Sequence, residues 1–316
     1  MAVQRDLTFI YLPAVEGRDH LKNDVFFSSR GDRPNVNLVL FCGDAQVGFA
    51  QNEFSIMSAH PQFGGLAEKW SFEAVASLLL NRLEGVSGVH LWIVRASRWS
   101  LDTFACYTNF VRYSGNGVPD YSGIHGIGDT SPAWRHLDAL LKNAATAVNG
   151  ACAELPCVII GFSKGGSVVT QLFYELGMFF DLPEFSDIHL TSQVVSLTWL
   201  DSGHNGVTHL WPTWTIPLAR LRRYPSLPKL FVFATPYEVQ LCDENRPWNS
   251  RDFGTFIRLL KAFRLPYYSD TFYKGHHWDY SFEFPQTLRV SIDSHFEILA
   301  CFPIQLCMPT SSNVLS

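Results

Sequence analysis

Residues Cys157-Val-Ile-Ile-Gly-Phe-Ser-Lys-Gly-Gly166 constrain the fold of this chain more than any other stretch. An apolar, β-branched run leads into Gly161-Phe-Ser-Lys-Gly165. The segment Gly166-Ser-Val-Val-Thr-Gln-Leu-Phe-Tyr-Glu-Leu176 leads out, with Val168, Leu172 and Leu176 four residues apart. An apolar run followed by fourfold spacing is a buried strand turning into a helix. The two glycines flanking Ser163 let the strand and helix backbones approach closely, and a serine at the apex of so sharp a turn projects its hydroxyl above the sheet edge. A five-residue match of this kind arises by chance in roughly one chain in ten of this length, so the weight rests on the strand and helix around it.

The rest of the chain repeats the same alternation. Strands are expected at Val36 to Cys42, Gly88 to Arg95, Cys157 to Ile160, Val194 to Leu200, Lys229 to Ala234 and Tyr267 to Tyr273, with a first strand at the N-terminus. Helical spacing appears at Trp70 to Leu83, Pro132 to Val148 with Ser131 as cap, Gly166 to Met178 and Ser250 to Phe263. Strands alternating with helices give a mostly parallel central sheet with helices on both faces; with the turn at Ser163, the expected class is the α/β-hydrolase fold. Residues 1–300 are read as one such domain and 301–316 as a C-terminal tail without clear pattern. Thr108 to Pro132 reads as a long surface loop. The Pro- and Trp-rich stretch 205–228 reads as an insertion that is either a lid or a packed loop.

Charge and cysteine usage narrow the function classes. Lysine and arginine number 24 against 29 acids, a formal net charge of -5, and no basic run interleaved with aromatics appears, so nucleic acid is not an expected partner. Seven scattered cysteines with no Cys-x-x-Cys spacing argue against a disulfide framework or a zinc knuckle. No stretch approaches the ~20 apolar residues of a membrane span, and the first ten residues match neither a secretory signal nor an Arg- and Ser-rich transit peptide. On that ground the chain reads as soluble and cytoplasmic. No cofactor motif is present.

A serine hydroxyl needs a histidine to take its proton, and the histidine needs an acid to fix its tautomer. In this fold the chain order is serine, acid, histidine. His295 follows the last strand candidate and is the expected base, with His276 and His277 as alternatives. For the acid, Asp243 and Asp201 are both candidates; the usual placement beyond the later strand ranks Asp243 slightly ahead, with Glu238 third. Asp201-Ser202-Gly203-His204 gathers an acid, a hydroxyl and a histidine at one strand end, where open α/β sheets place ligands. The oxyanion donors are expected at the N–H of Lys164 and in the turn Gly43-Asp44-Ala45.

Several uncommon strings then point to a family: Phe41-Cys-Gly-Asp-Ala-Gln46, Trp70-Ser-Phe-Glu-Ala-Val-Ala-Ser77, Ser97-Arg98, Phe104-Ala-Cys-Tyr-Thr-Asn-Phe110, Ile160-Gly-Phe-Ser-Lys-Gly165, Trp199-Leu-Asp-Ser-Gly-His204, Thr235-Pro-Tyr237 and Ser294-His-Phe296. Over most of its length the chain resembles the α/β-hydrolase-like family typified by the human chromosome 2 open reading frame 69 protein. The resemblance implies a serine-hydrolase-like fold, a mitochondrial location, a nucleophile at Ser163 and a base at His295; it implies no substrate. The chain differs in a shorter stretch around Thr146 to Leu155. The expected activity is hydrolysis of an ester or thioester through an acyl-enzyme on Ser163, with a small-molecule acyl substrate. The aromatic content of 14% favours an apolar, lipid-like one. Acyl transfer uses the same residues, and a non-catalytic binding or scaffold protein on the same fold is the alternative.

Overall fold

The computed structural model describes residues 7–31, 33–48, 64–86, 88–101, 104–125, 132–203, 206, 208–209, 211–239, 247–278 and 290–309. The strands, in chain order, are β1 (Phe9–Glu16), β2 (Lys22–Arg30), β3 (Val36–Phe41) and β4 (Val89–Val94). Two small hairpins follow, β5 (Arg98–Ser100) with β6 (Phe104–Cys106) and β7 (Arg112–Tyr113) with β8 (Pro119–Asp120). The series ends with β9 (Cys157–Phe162), β10 (Val194–Leu200), β11 (Lys229–Ala234), β12 (Tyr267–Tyr273) and β13 (His276–His277).

Nine of these strands form one sheet in the order β1-β2-β4-β3-β9-β10-β11-β12-β13. Strands β3, β4 and β9 to β12 pair in parallel, while the β1/β2, β2/β4 and β12/β13 pairs are antiparallel. This order and polarity define the α/β-hydrolase fold expected from the sequence. After β3 the chain builds β4 on one side and β9 on the other. The order therefore reverses between β3 and β9, the kind of switch point beyond whose carboxyl ends open α/β sheets place their ligands.

Strands β3, β4 and β9 are buried at every position, as parallel strands covered on both faces must be. Their alternation still shows in the packing. Val158, Ile160 and Phe162 join a core on one face with α1 (Phe72–Arg82). Cys157 and Ile159 join the core on the other face with α2 (Pro132–Thr146) and α3 (Gly166–Phe179). Of the later helices, α4 (Thr215–Leu221) and α6 (Pro247–Ala262) lie on the α3 face, while α7 (Ile292–Cys301) and α8 (Ile304–Cys307) lie on the α1 face. Between α4 and α6, α5 (Pro236–Val239) is a single turn directly after β11.

Four features differ from the sequence reading. The first strand among the described residues, Phe9–Glu16, runs six residues beyond the first ten. Strand β2, which the sequence reading did not contain, joins β1 to β4. The described part of the polar stretch 108–132 is not simply a surface loop: it holds the β7/β8 hairpin and buries Phe110, Val111, Tyr121 and Ile124, with Phe110 packed against Phe41 of β3 and His136 of α2 and Tyr121 against Tyr174 of α3. Within 301–316, Ile304, Cys307 and Met308 are buried, and the Cys307 carbonyl accepts a hydrogen bond from Ser196 Oγ at 2.8 Å. In the 205–228 stretch, Trp211 is buried, and Tyr174 Oη on α3 accepts the N–H groups of Thr213 and Trp214 at 2.9 and 3.1 Å.

The N-terminus of α2 docks on α3 through a buried carboxylate. Glu175 accepts the N–H of Ala133 at 3.1 Å and of Trp134 at 3.2 Å, and Gln171 Nε2 at 2.8 Å. It thereby satisfies orphan donors of the helix start; the expected cap, Ser131, lies outside the described residues. Burial pushes the Glu175 carboxyl from its ordinary 4.5 up to about 7, against the pull of those hydrogen bonds.

A carboxyl raised in the folded state holds its proton more tightly there than in the unfolded chain. Its favourable contribution is complete below about pH 4.5 and is lost as pH rises to about 7. Glu175→Gln has no such proton to lose. Between about pH 5 and pH 8, the urea-measured stability difference should therefore move in the variant's favour by about 2–3 kcal/mol. A difference constant with pH would show that the hydrogen bonds compensate the ionised carboxylate fully.

Candidate active site

The turn after β9 is built by contact between backbones. A methyl group on Gly161 would lie 2.6 Å from the Gly165 carbonyl oxygen, and one on Gly165 would lie 2.0 Å from the carbonyl oxygen of Phe41 on β3. Only glycine permits either approach. Between them Ser163 adopts φ +52°, the left-handed region, at a cost of about 1–2 kcal/mol for a residue with a Cβ. Such strain persists where the surroundings impose it, and it marks functional turns. Ser163 is partly exposed, and a 3-10 turn at Ser163–Gly165 leads into α3.

The turn after β3 stands against this serine. A Cβ on Gly43 would lie 2.6 Å from Ser163 Cβ and 3.1 Å from its Oγ. The N–H of Gly43 is taken by Gln46 Oε1 at 2.8 Å, while Gln46 Nε2 donates to the Trp70 carbonyl at 3.2 Å. Gln46, fully buried, thus braces the turn, and Ala45 within it has φ +63°. With Gly43 N–H occupied, the turn leaves the N–H groups of Asp44 and Ala45 as its oxyanion candidates, next to that of Lys164.

Both of these segments are tied by side chains to the hairpins that follow β4. Asp44 Oδ1 accepts the N–H of Ala105 at 2.6 Å. Lys164 is buried, donates from Nζ to the Gly117 carbonyl at 2.5 Å, and lies 5.6 and 5.7 Å from the ring centres of Phe104 and Tyr113. Burial lowers the Lys164 ammonium and raises the Asp44 carboxyl, and each group's charge opposes the other's shift. The Lys164 side chain is therefore an internal anchor rather than a substrate-facing charge.

Asp201, directly after β10, holds the histidine. Its Oδ2 is 2.7 Å from His295 Nδ1 and accepts Thr235 Oγ1 at 2.6 Å, while its Oδ1 accepts the N–H of Thr235 at 2.7 Å. Asp201 is fully buried and its φ is +46°; His295, near the start of α7, is 4% exposed. The His295 ring lies between Phe162, at 4.7 Å between centres, and Tyr237, at 5.0 Å. Phe162 immediately precedes the serine, so the imidazole sits beside the turn. A carboxylate can only accept, so Nδ1 carries the proton, and in the neutral imidazole Nε2 then holds the lone pair.

Glu238, on α5, is also buried here, with Oε1 3.9 Å from His295 Nδ1 and Oε2 accepting Asn249 Nδ2 at 2.6 Å. Asp243 and His204 lie outside the described residues. His276 and His277 lie on the exposed edge strand β13, four strands from β9, or ~19 Å at the usual strand spacing; His277 is bound to Asp270 at 2.5 Å. Among the described residues, no group of three or more His, Cys, Asp or Glu side chains is placed to hold a metal ion. Thr235, Gln46, Tyr237 and Asn249 had no role in the sequence reading. Thr235, Tyr237 and Gln46 stood in the uncommon strings, and that was their only signal.

The fold and this site define an α/β-hydrolase-fold protein. The sequence model of the C2orf69 family matches residues 11–154 and 148–266, and the chain belongs to that family. A Danio rerio relative named "Mitochondrial protein C2orf69 homolog" is 32% identical over 321 residues, covering 92% of this chain and 84% of its own. The Homo sapiens "Mitochondrial protein C2orf69" is 25% identical over 279 residues, covering 72% of this chain and 67% of its own. Solved structures that resemble it include esterase Est22, with TM-score 0.44, 11% identity and 84% and 71% of the two chains covered. A putative carboxylesterase from Lactobacillus plantarum has TM-score 0.40, 12% identity and 85% and 88% coverage.

The backbone contacts at the turn predict an uneven response to alanine. Gly165→Ala should cost at least the ~1–3 kcal/mol of overpacking, read from the urea midpoint. Gly65→Ala, in the short helix Gly64–Lys69 with open space around it, should be neutral or stabilising by up to ~1 kcal/mol. Equal effects at the two positions would contradict the close approach to Phe41.

Proposed function

We propose that this protein is a serine hydrolase that cleaves an ester or thioester through an acyl-enzyme on Ser163, with His295 as general base and Asp201 as the acid that orients it. The observation that carries the reading is the buried Asp201–His295 hydrogen bond at 2.7 Å beside a serine held at φ +52°. Asp201 takes precedence over Asp243 as the proposed acid because its carboxylate already meets the imidazole.

His295 Nε2 takes the proton of Ser163 as Oγ bonds to the substrate carbonyl carbon and the carbonyl π electrons move onto oxygen. The N–H groups of Lys164 and of Asp44 or Ala45 receive that oxyanion. Collapse of the tetrahedral species breaks the bond to the alcohol or thiol, which leaves with the proton from the imidazolium. Water then repeats the sequence: His295 removes its proton, the hydroxide oxygen bonds to the acyl carbon, and the acid departs as Ser163 is reprotonated. An acceptor alcohol or amine in place of water would make the same residues a transferase. The substrate class is a small acyl compound of apolar character. The relatives' names favour a mitochondrial location over the cytoplasmic reading of the N-terminus.

Labelling with a fluorophosphonate probe tests the proposal. Wild-type protein should label. Ser163→Ala should abolish the label and His295→Ala should slow it by at least about 10³-fold, with circular dichroism showing both variants folded. A folded wild type that does not label would favour the binding or scaffold alternative.

A further inference from the structure

Thr235 follows β11 directly and precedes Pro236, the first residue of the turn α5. This is the place from which a threonine hydroxyl ordinarily accepts an N–H of its own helix. Here the N–H groups of Glu238 and Val239 go to the Thr235 carbonyl, both at 3.1 Å. The hydroxyl goes instead to Asp201 Oδ2 at 2.6 Å, while the N–H of the same residue donates to Oδ1 at 2.7 Å.

One residue thus places a donor on each oxygen of the carboxylate, and the two bonds together fix its plane. Both residues are buried, out of reach of bulk water. The same Oδ2 that accepts the hydroxyl meets His295 Nδ1 at 2.7 Å. Removing the hydroxyl would leave Oδ2 a stronger acceptor for the ring and at the same time untie the carboxylate on that side. The second effect is the larger. A hydrogen bond to a charged group is worth about 10- to 100-fold in an equilibrium, while neighbouring bonds change one another by about 10–30%.

We infer that Thr235 is a positioning residue for the reaction, whose hydroxyl holds the Asp201 carboxylate in the plane that lets His295 serve Ser163. This rests on the proposed roles of Ser163, His295 and Asp201. Because Thr235 acts through Asp201, its effect requires the carboxylate. The Thr235 N–H adds a second constraint. It can only donate, so in Asp201→Asn it holds the amide oxygen at the Oδ1 place and turns the NH2 towards the ring. Nδ1 must then accept, and the imidazole proton moves to Nε2, where it blocks the base.

The rate of fluorophosphonate labelling tests the inference. Thr235→Val removes the hydroxyl while keeping the N–H and the branched shape, and should slow labelling about 10- to 100-fold. Thr235→Ser, which keeps the hydroxyl, should restore most of the rate. Asp201→Asn should slow labelling about 10⁴-fold, and adding Thr235→Val to it should change the rate by no more than about threefold. A threonine with a merely structural role would cost the same in both backgrounds. Should Thr235→Val not fold, Thr235→Ala also lacks the hydroxyl, is smaller, and should slow labelling at least about tenfold. A hydroxyl-free variant that labels at the wild-type rate, a Thr235→Ser variant as slow as Thr235→Val, or the full Thr235→Val loss repeated on top of Asp201→Asn would each overturn the inference.

A second readout does not depend on a reactive serine. In proton NMR, the Nδ1–H of His295 should exchange with water at least about tenfold faster in Thr235→Val than in wild type or Thr235→Ser. Equal exchange in all three overturns the inference even if Ser163 labels. Faster exchange in Thr235→Val when the wild type does not label would leave the hold of Thr235 on the Asp201–His295 pair standing while the hydrolase reading falls.

Discussion

The contact on which the site depends is between two backbones. The turn at Gly165 sits on the Phe41 carbonyl of β3, close enough that no side chain fits between. That contact ties β9, which carries Ser163, to β3, which carries the turn Gly43-Asp44-Ala45. The serine's left-handed φ follows, because a turn of this sharpness pressed between a strand and a helix has no other way to reverse direction. The contact lies where the strand order changes direction, between β3 and β9. Position and strain are thus two consequences of one close approach.

Around this contact the polar side chains work as ties rather than as surface groups. Gln46 joins Gly43 to Trp70, Asp44 reaches Ala105, and Lys164 spans to Gly117. The last two anchor both loops that would stabilise an oxyanion in the same pair of hairpins after β4. A buried lysine is costly unless its charge and donors are satisfied, and here the Gly117 carbonyl, two aromatic rings and the charge of Asp44 share that task. Donors fixed before reaction need no reorganisation during it, which is the property oxyanion stabilisation draws on. The aromatic and glycine-rich stretch from Phe104 to Gly117 is therefore part of the site's framework, although it lies on the chain far from Ser163.

The sheet was legible in the sequence where strands are buried on both faces, because such strands are short uninterrupted apolar runs. Val194–Leu200 and Lys229–Ala234 have the same bounds in the sequence reading and in the structure, and so does Tyr267–Tyr273, which is only partly buried and was marked by its aromatic residues. Strand β2 escaped because Lys22-Asn-Asp-Val-Phe-Phe-Ser-Ser-Arg30 is polar at both ends and apolar only at its centre, and its partner β4 is about 65 residues away along the chain. The stretch 108–132 was misread for the opposite reason. Its glycines and serines mark turns, and those turns bring Phe110 back onto β3 and α2 and Tyr121 onto α3. Composition alone does not show that return.

In the proposed site, the places of Ser163 and His295 were legible because each is fixed by its neighbours in sequence, a glycine-framed turn and a short helix after the last parallel strand. The proposed acid was not, since it depends on which of several strand ends reaches the imidazole. The usual placement after β11 favoured Asp243, yet Asp201 after β10 meets His295, and Thr235 at the end of β11 meets Asp201 instead. The two strand ends have thus divided the work. β10 supplies the carboxylate and β11 supplies the donors that hold it, while Asp201 adopts a left-handed φ to turn inward at once. A carboxylate fixed by Thr235 N–H, Thr235 Oγ1 and the ring has little freedom to follow a histidine that moves. The orientation of His295 is accordingly imposed by the sheet, through its two neighbouring strand ends, rather than by the helix that carries the residue.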